Sequence, residues 1–180
     1  MENGDRGVIH QISASKGGVP KLPIRRAVVM ERGITADAQA DRKNHGHLHQ
    51  ALCLWSLEVI ELLRAEGHNV FPGATGENIT IEGLDWERVV PGSRLRLGAE
   101  VVVEVTGYTT PCWKNAQWFR DGDMNRMNQK THPGESRVYA RVLHGGEIVV
   151  GDPVQLLPAT ARERAVRQQP PTFRWPRDFQ

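Results

Sequence analysis

Residues 94–106 read Arg-Leu-Arg-Leu-Gly-Ala-Glu-Val-Val-Val-Glu-Val-Thr, and this stretch decides the fold class. Leu95 and Leu97 alternate with arginines, and Val101, Val103 and Val105 alternate with Val102 and Glu104. A period of two sends successive side chains to opposite faces of a strand, and valine's branched Cβ suits a pleated surface. Outward from this stretch, similar runs recur at Val8–Ser13, Arg25–Glu31, Ala51–Trp55, Ile79–Glu82, Arg137–Leu143, Glu147–Val150 and Val154–Leu157. Each is rich in Val, Ile or Leu and is bounded by Gly, Pro, Asp or Asn, the pattern of strands between turns. His144-Gly145-Gly146 reads as a tight hairpin turn, and Val149-Val150-Gly151-Asp152-Pro153 ends one strand and opens another.

Two segments read as helices. Ser56–Glu66 places Leu57, Ile60 and Leu63 on one face, with Ser56 at the cap position and Gly67 as the stop. The second runs from Pro111 to Phe119, with proline near its start, where helices tolerate it. Many short strands with one or two helices predict a mainly β fold, a closed or nearly closed β-barrel. Closure also removes the open edges that a small sheet would otherwise leave. The barrel is expected over residues 1–159. The remainder, 160–180, holds five arginines and a Pro-Pro pair and is expected to form a basic arm.

Composition narrows the functional classes. The chain has 180 residues, 39% hydrophobic and 24% charged, and a formal net charge of +2. Residues 161–180 carry a net +3, so residues 1–160 carry −1 and offer no basic face for nucleic acid. The arginine-rich tail is the part that could dock on the barrel, on a second copy of the chain or on an electron donor. No apolar run approaches the ~18 residues of a membrane span. With no basic, apolar leader at the start, the expected location is cytoplasmic. Two cysteines, Cys53 and Cys112, cannot build a disulfide framework or a four-cysteine zinc site.

Three motifs could carry chemistry. His45-Gly46-His47-Leu48-His49, with Asp37 and Asp41 upstream, places alternate histidines on one side of an extended segment; it is a metal site or a solvated loop. The turn Phe71-Pro72-Gly73-Ala74-Thr75-Gly76-Glu77-Asn78 could aim backbone N–H groups at an anion or serve only as a glycine-rich turn. Cys112 follows a strand where a helix is expected to begin, with Lys114 close by; both features favour a thiolate. Cys53, inside an apolar run, is expected in the core. Arg25, Arg26, Arg42, Lys43, Lys114, Arg137 and Arg141 read mostly as surface charges, some near enough to the motifs to meet one phosphate-bearing cofactor.

Taken in order, these motifs resemble the MOSC domain, named for its place at the C-terminus of molybdenum-cofactor sulfurases. The resemblance runs from Gly7 to Leu157. It rests on Gly33 to Gly46, Pro72-Gly73-Ala74-Thr75-Gly76-Glu77-Asn78, Pro91-Gly92 with Arg94–Gly98, Pro111-Cys112, Arg137–Val142 and Gly151-Asp152. It is nearest to the stand-alone bacterial members. The resemblance implies a barrel that holds the pterin-based molybdenum cofactor, with Cys112 as the metal ligand. Asp37, Asp41, His45, Gly46, Gly76, Glu77, Asn78 and Lys114 are the implied cofactor contacts. The implied activity is reduction of N-hydroxylated compounds, as in bacterial hydroxylaminopurine reductases and the mitochondrial amidoxime-reducing component. Electrons would come from a separate reductase, because the chain has neither a dinucleotide-binding glycine pattern nor enough cysteines for an iron–sulfur cluster. Two other readings are a sulfur carrier or cofactor-delivery module using Cys112, and a metal-dependent hydrolase using the histidines. One departure stands out: Tyr108-Thr109-Thr110 occupies the stretch where many relatives carry Pro-Arg, so another basic residue must replace that arginine.

Overall fold

A computed structural model describes residues 4–37 and 48–158. Asp41, His45, Gly46, His47 and the basic tail lie outside these residues. The strands are β1 (Arg6–Ala14), β2 (Leu22–Ile24), β3 (Arg26–Met30), β4 (Gly33–Ile34), β5 (Leu52–Ser56), β6 (Ile79–Glu82), β7 (Arg94–Leu97), β8 (Val101–Tyr108), β9 (Val138–His144), β10 (Gly146–Val149) and β11 (Pro153–Leu157). One α-helix, α1 (Leu57–Ala65), joins β5 to β6. Each strand expected from alternation is present; β2 and β4 are too short to show a period.

The large sheet closes on itself. Its order is β11-β7-β8-β9-β5-β6-β1, and β1 pairs back onto β11, so seven strands form a barrel with β2 attached to β1. Leu95, Leu97, Val101, Val103, Val105, Val138, Ala140, Leu52, Leu54, Ile79, Ile81 and Ile9 fill it, none more than 1% exposed. The alternation in residues 94–106 therefore marks which side chains face inward. All the barrel pairs are antiparallel except β5 with β6. Parallel neighbours need a crossover, and α1 supplies it. Its cap forms as expected: Ser56 Oγ accepts from the Val59 N–H at 3.3 Å and donates to Glu58 at 2.6 Å. Leu57, Val59, Ile60 and Leu63 are its buried face.

Two expectations are corrected. His144-Gly145-Gly146 does not close a hairpin, because β10 pairs with β3 while β9 pairs with β8 and β5. The chain instead leaves the barrel for a second sheet, β10-β3-β4. Gly145 permits that exit, since a Cβ there would lie 2.6 Å from the Val29 carbonyl oxygen. The segment expected to be helical from Pro111 is a 3-10 turn over Trp113–Trp118. It ends at Phe119, whose backbone is extended (φ −102°, ψ 134°), and the Trp118 carbonyl accepts from the Asn69 N–H at 2.8 Å. No helix among the described residues is long and apolar enough to cross a membrane.

The long connection between β8 and β9 is clamped to α1's end by Arg126. Its guanidinium spans Glu66, at 2.6 and 2.7 Å, and Glu135. Arg126 holds the Glu66 carboxyl below the usual glutamate range, and the carboxylate draws the arginine upward in turn. A carboxylate lowered on folding stabilises the protein above its unfolded pKa, and that contribution disappears as pH falls through the folded value. Thermal melting of Arg126→Ala should therefore lose the part of its acid sensitivity that the native chain shows below the ordinary glutamate range. Ser56→Ala should cost about 1 kcal/mol by removing the cap, read as a drop of about 2–4 °C in melting temperature.

Candidate functional site

Leu52 and Leu54 point into the barrel, so Cys53 between them points out of it. Its register partner on β9 is Tyr139, which lies between the inward Val138 and Ala140. Against this outer face of β5 and β9 pack the 71–78 turn, the residues flanking β2 and β4, and the segment that carries Cys112.

Asn78 ties these pieces together. Its Oδ1 accepts from the Cys53 N–H at 3.1 Å, and its Nδ2 donates to Asp37 at 2.8 Å and to the Ser13 carbonyl at 3.4 Å. Asp37 also accepts from the Ser15 N–H at 2.8 Å and from the Lys21 ammonium, in a pair whose side chains are 5% and 12% exposed. Glu77 is fully buried and closes its own turn, accepting from the Gly73 N–H at 2.6 Å and the Thr75 hydroxyl at 2.9 Å. Gly73 needs to be glycine: its φ is +89°, and a Cβ would lie 2.3 Å from the Lys21 carbonyl oxygen.

The turn's donors are thus largely used within the protein. The N–H groups of Gly73, Ala74, Gly76 and Asn78 bond to Glu77, Phe71, Gly73 and Cys53 respectively. Of the two readings of this turn, anion nest or glycine-rich turn, the second fits: these N–H groups are taken by the chain's own carboxylate and carbonyls. Gly76, Glu77 and Asn78 shape the site from behind, as does Asp37.

Sequence reading placed Arg137 among surface charges, yet it is only 6% exposed. Its guanidinium donates to the Thr75 carbonyl, and Asn115 reaches the same oxygen at 3.4 Å. Asn115 belongs to the Cys112 turn, where its N–H donates to the Cys112 carbonyl at 2.8 Å. The Phe71 and Trp118 rings meet edge to face at 5.0 Å and add a second link between the two segments. Thr109, in the stretch that lacks the Pro-Arg pair, donates its N–H to the Arg137 carbonyl at 3.0 Å. Arg137 therefore lies beside this stretch, just beyond the paired ends of β8 and β9. Arg137 Nε and Asn115 Oδ1 are buried with no hydrogen-bond partner.

The two thiols differ. Cys112 is exposed at the head of its turn, followed by the exposed Trp113 and Lys114. That turn is a 3-10 segment of six residues, too short for the helix dipole expected to act on the thiol. Cys53 is buried as expected, although it faces the site and not the barrel interior. Burial pushes its thiol up to about 11, against an opposing pull from Arg137. Tyr139 is raised by burial first, then by Cys53, with Cys112 close enough to add to the shift. The site therefore gathers Cys112, Asn115, Arg137, Tyr139 and Cys53 over a base of Asp37, Glu77 and Asn78, while Lys114 is exposed two residues after the Cys112 thiol. His49 lies on an exposed 3-10 turn, Leu48–Gln50. Among the described residues, no group of three or more His, Cys, Asp or Glu side chains is placed to hold a metal ion.

The family model of the MOSC domain matches residues 41–155. The chain belongs to the MOSC domain family. A MOSC-domain relative, the uncharacterized protein YflK of Bacillus subtilis, is 36% identical over 145 residues, covering 78% of this chain and 63% of its own. Protein YiiM of Escherichia coli is 28% identical over 138 residues, covering 72% of this chain and 58% of its own. The chain thus spans about three-fifths of the length of these curated relatives. Among solved structures, a hypothetical protein aligns with a TM-score of 0.67 at 23% identity, over 86% of this chain and 69% of that one. YiiM from Geobacillus stearothermophilus aligns with 0.64 at 25% identity, over 84% and 75%. These alignments share the MOSC barrel.

A thiol-reactive chromophore at pH 8 should label one cysteine in the native protein and two after unfolding. Cys112→Ser should abolish the native signal; labelling of Cys53 in the folded chain would contradict the geometry. Lys21→Met leaves the buried Asp37 carboxylate without its cation and should destabilise the fold by about 3 kcal/mol, measured by urea unfolding.

Proposed function

We propose that this MOSC protein is an oxidoreductase that binds the molybdenum cofactor and reduces N-hydroxylated compounds, with electrons from a partner reductase. The observation that carries the reading is the pairing of an exposed Cys112 thiol with two buried, unsatisfied polar atoms on residues tied to its own loop, Arg137 Nε and Asn115 Oδ1. A buried donor left without a partner costs about 1–3 kcal/mol, so such atoms beside an open thiol suit a bound group that brings its own acceptors and donors. The set also suits this cofactor in its softness and number. The cofactor supplies a dithiolene to its metal, leaving the protein one soft thiolate to contribute.

Cys112 would be the protein's ligand to molybdenum. Arg137 and Lys114 would face the cofactor's anionic groups, with Arg137 taking the part of the arginine absent from Tyr108-Thr109-Thr110. When bound, the metal centre would supply the two-electron chemistry that removes oxygen from an N–O group. The protein's own contribution is placement. Asn78, Asp37 and Glu77 hold the 71–78 turn rigid, Thr75 offers its carbonyl to Arg137 and Asn115, and Asn115 fixes the backbone of Cys112. Tyr139, kept as a neutral phenol beside the thiol, would hold a proton near the site.

The test is elemental analysis of protein made in a host that synthesises the cofactor, with reduction of N-hydroxylated substrates assayed alongside. The native chain should carry about one molybdenum per chain, and Cys112→Ser should lose both metal and activity. Arg137→Lys keeps the charge but loses the planar fork, so metal retention should fall while the melting temperature stays near that of the native chain. A Cys112→Ser protein that retains molybdenum and activity would overturn the ligand role. Cyanide-labile sulfur on Cys112 without reductase activity would point to a sulfur carrier instead.

A further inference from the structure

A cavity of about 420 Å³ lies between residues 86–90, the last residue of β8 and the connection that leads to β9. Trp86, Glu87, Val89, Tyr108, Gln129 and Ser136 line it. Tyr108 pairs with Val138, whose side chain faces the barrel interior, whereas Tyr139 and Arg137 lie on the other side of that strand. The backbone of β9's first residues therefore separates this cavity from the candidate cofactor site. Its size falls within the range of small-molecule sites, about 300–1,000 Å³.

The walls are held in place. Trp86, 7% exposed, donates its indole N–H to the Ser136 carbonyl at 2.9 Å, which fixes the ring. Gln129 accepts from the Gly134 N–H at 3.2 Å through Oε1, so its amide NH₂ remains as a donor. The Glu87 stem packs on Gly134, where a Cβ would meet its Cγ at 3.3 Å. The Trp86 ring is thus held in place, and Tyr108 and Glu87 line the same cavity.

Charge then selects the ligand. Glu87 is the only charged side chain lining the cavity, and among the described residues it makes no ion pair. No Lys, Arg or His lines the cavity. A cation beside Trp and Tyr rings is drawn by their quadrupoles, and a carboxylate at the same place adds a Coulomb attraction. An anion would be repelled by Glu87. A divalent metal would lack ligands, because a single carboxylate cannot complete its shell of oxygens. We propose that this cavity binds a small organic cation of the alkylammonium class, between the Trp86 and Tyr108 rings and against the Glu87 carboxylate.

The test uses the full chain and choline as probe, followed by calorimetry. Its uncharged isostere, 3,3-dimethyl-1-butanol, and the anion isovalerate serve as comparisons. Choline should bind saturably, with the alcohol about fivefold to tenfold weaker and isovalerate not binding. Glu87→Gln, at an exposed position, should keep the native melting temperature and weaken choline about threefold to tenfold, closing the gap to the alcohol. Tyr108→Leu should weaken choline by a similar factor while leaving the alcohol nearly unchanged. Absence of saturable choline binding, equal affinity for choline and the alcohol, or an unchanged choline affinity in Glu87→Gln would each overturn the assignment. Because the readout is binding to the protein without regard to metal content, the result stands apart from the reductase test.

Discussion

The carboxamide of Asn78 is the constraint on which the rest of the site depends. It joins the backbone of β5, the backbone of β1 and the Asp37 carboxylate just past β4. β5 and β1 flank β6 in the barrel sheet, whereas β4 belongs to the second sheet, and among the described residues no main-chain ladder joins the two sheets. A carboxamide has both donors and an acceptor, so one side chain can satisfy groups of opposite sense without a charge. In a buried setting such networks are costly when incomplete, about 1–3 kcal/mol for each group left without a partner. The Lys21–Asp37 pair extends the knot toward β2, and Glu77 extends it into the 71–78 turn. The result is a rigid floor on the outer face of the barrel.

The residues around Cys112 stand on that floor. The Thr75 carbonyl is held by the turn and receives both Arg137 and Asn115, one from the start of β9 and the other from the Cys112 turn. A buried guanidinium is stable only where acceptors and opposing charge surround it. The turn provides a carbonyl and places the Glu77 carboxylate nearby. Arg137 in turn opposes the rise that burial imposes on the Cys53 thiol. Cys112 remains exposed while its backbone is fixed, the combination a ligand-forming thiol requires.

Much of this was legible in the residues. The alternation in 94–106 identified strands, and it also distinguished inward Leu95, Leu97, Val101, Val103 and Val105 from their outward neighbours. Ser56 and the apolar face behind it marked α1. The Gly-Glu-Asn and Pro-Cys motifs identified the MOSC family and brought Cys112 and the 71–78 turn forward together. What was not legible involved partners distant in the chain. His144-Gly145-Gly146 has the composition of a hairpin, but the strand that β10 joins is β3, more than 100 residues earlier. The segment after Pro111 has helical composition, but its backbone turns extended at Phe119, where the Trp118 carbonyl pairs with Asn69, far back in the chain. Arg137 looks like a surface charge because nothing local announces that Thr75 will accept from it.

Local pattern, then, determined the strands, the inward faces, the crossover helix and the family, because alternation and capping act over a few residues. It also showed that the slight basicity belongs to the 161–180 tail while the rest of the chain is near neutral. Tertiary structure decided which polar side chains are buried and what satisfies them. It made Glu77 and Asn78 part of the scaffold, turned Arg137 into the buried cation of the site, and set Cys53 and Cys112 apart by burial alone. It also opened the cavity beside Trp86, Glu87 and Tyr108, which no single motif contains. The reason is the range of the forces. Propensity and period are properties of neighbours in sequence, whereas desolvation and hydrogen-bond satisfaction depend on whatever the closed barrel brings into contact.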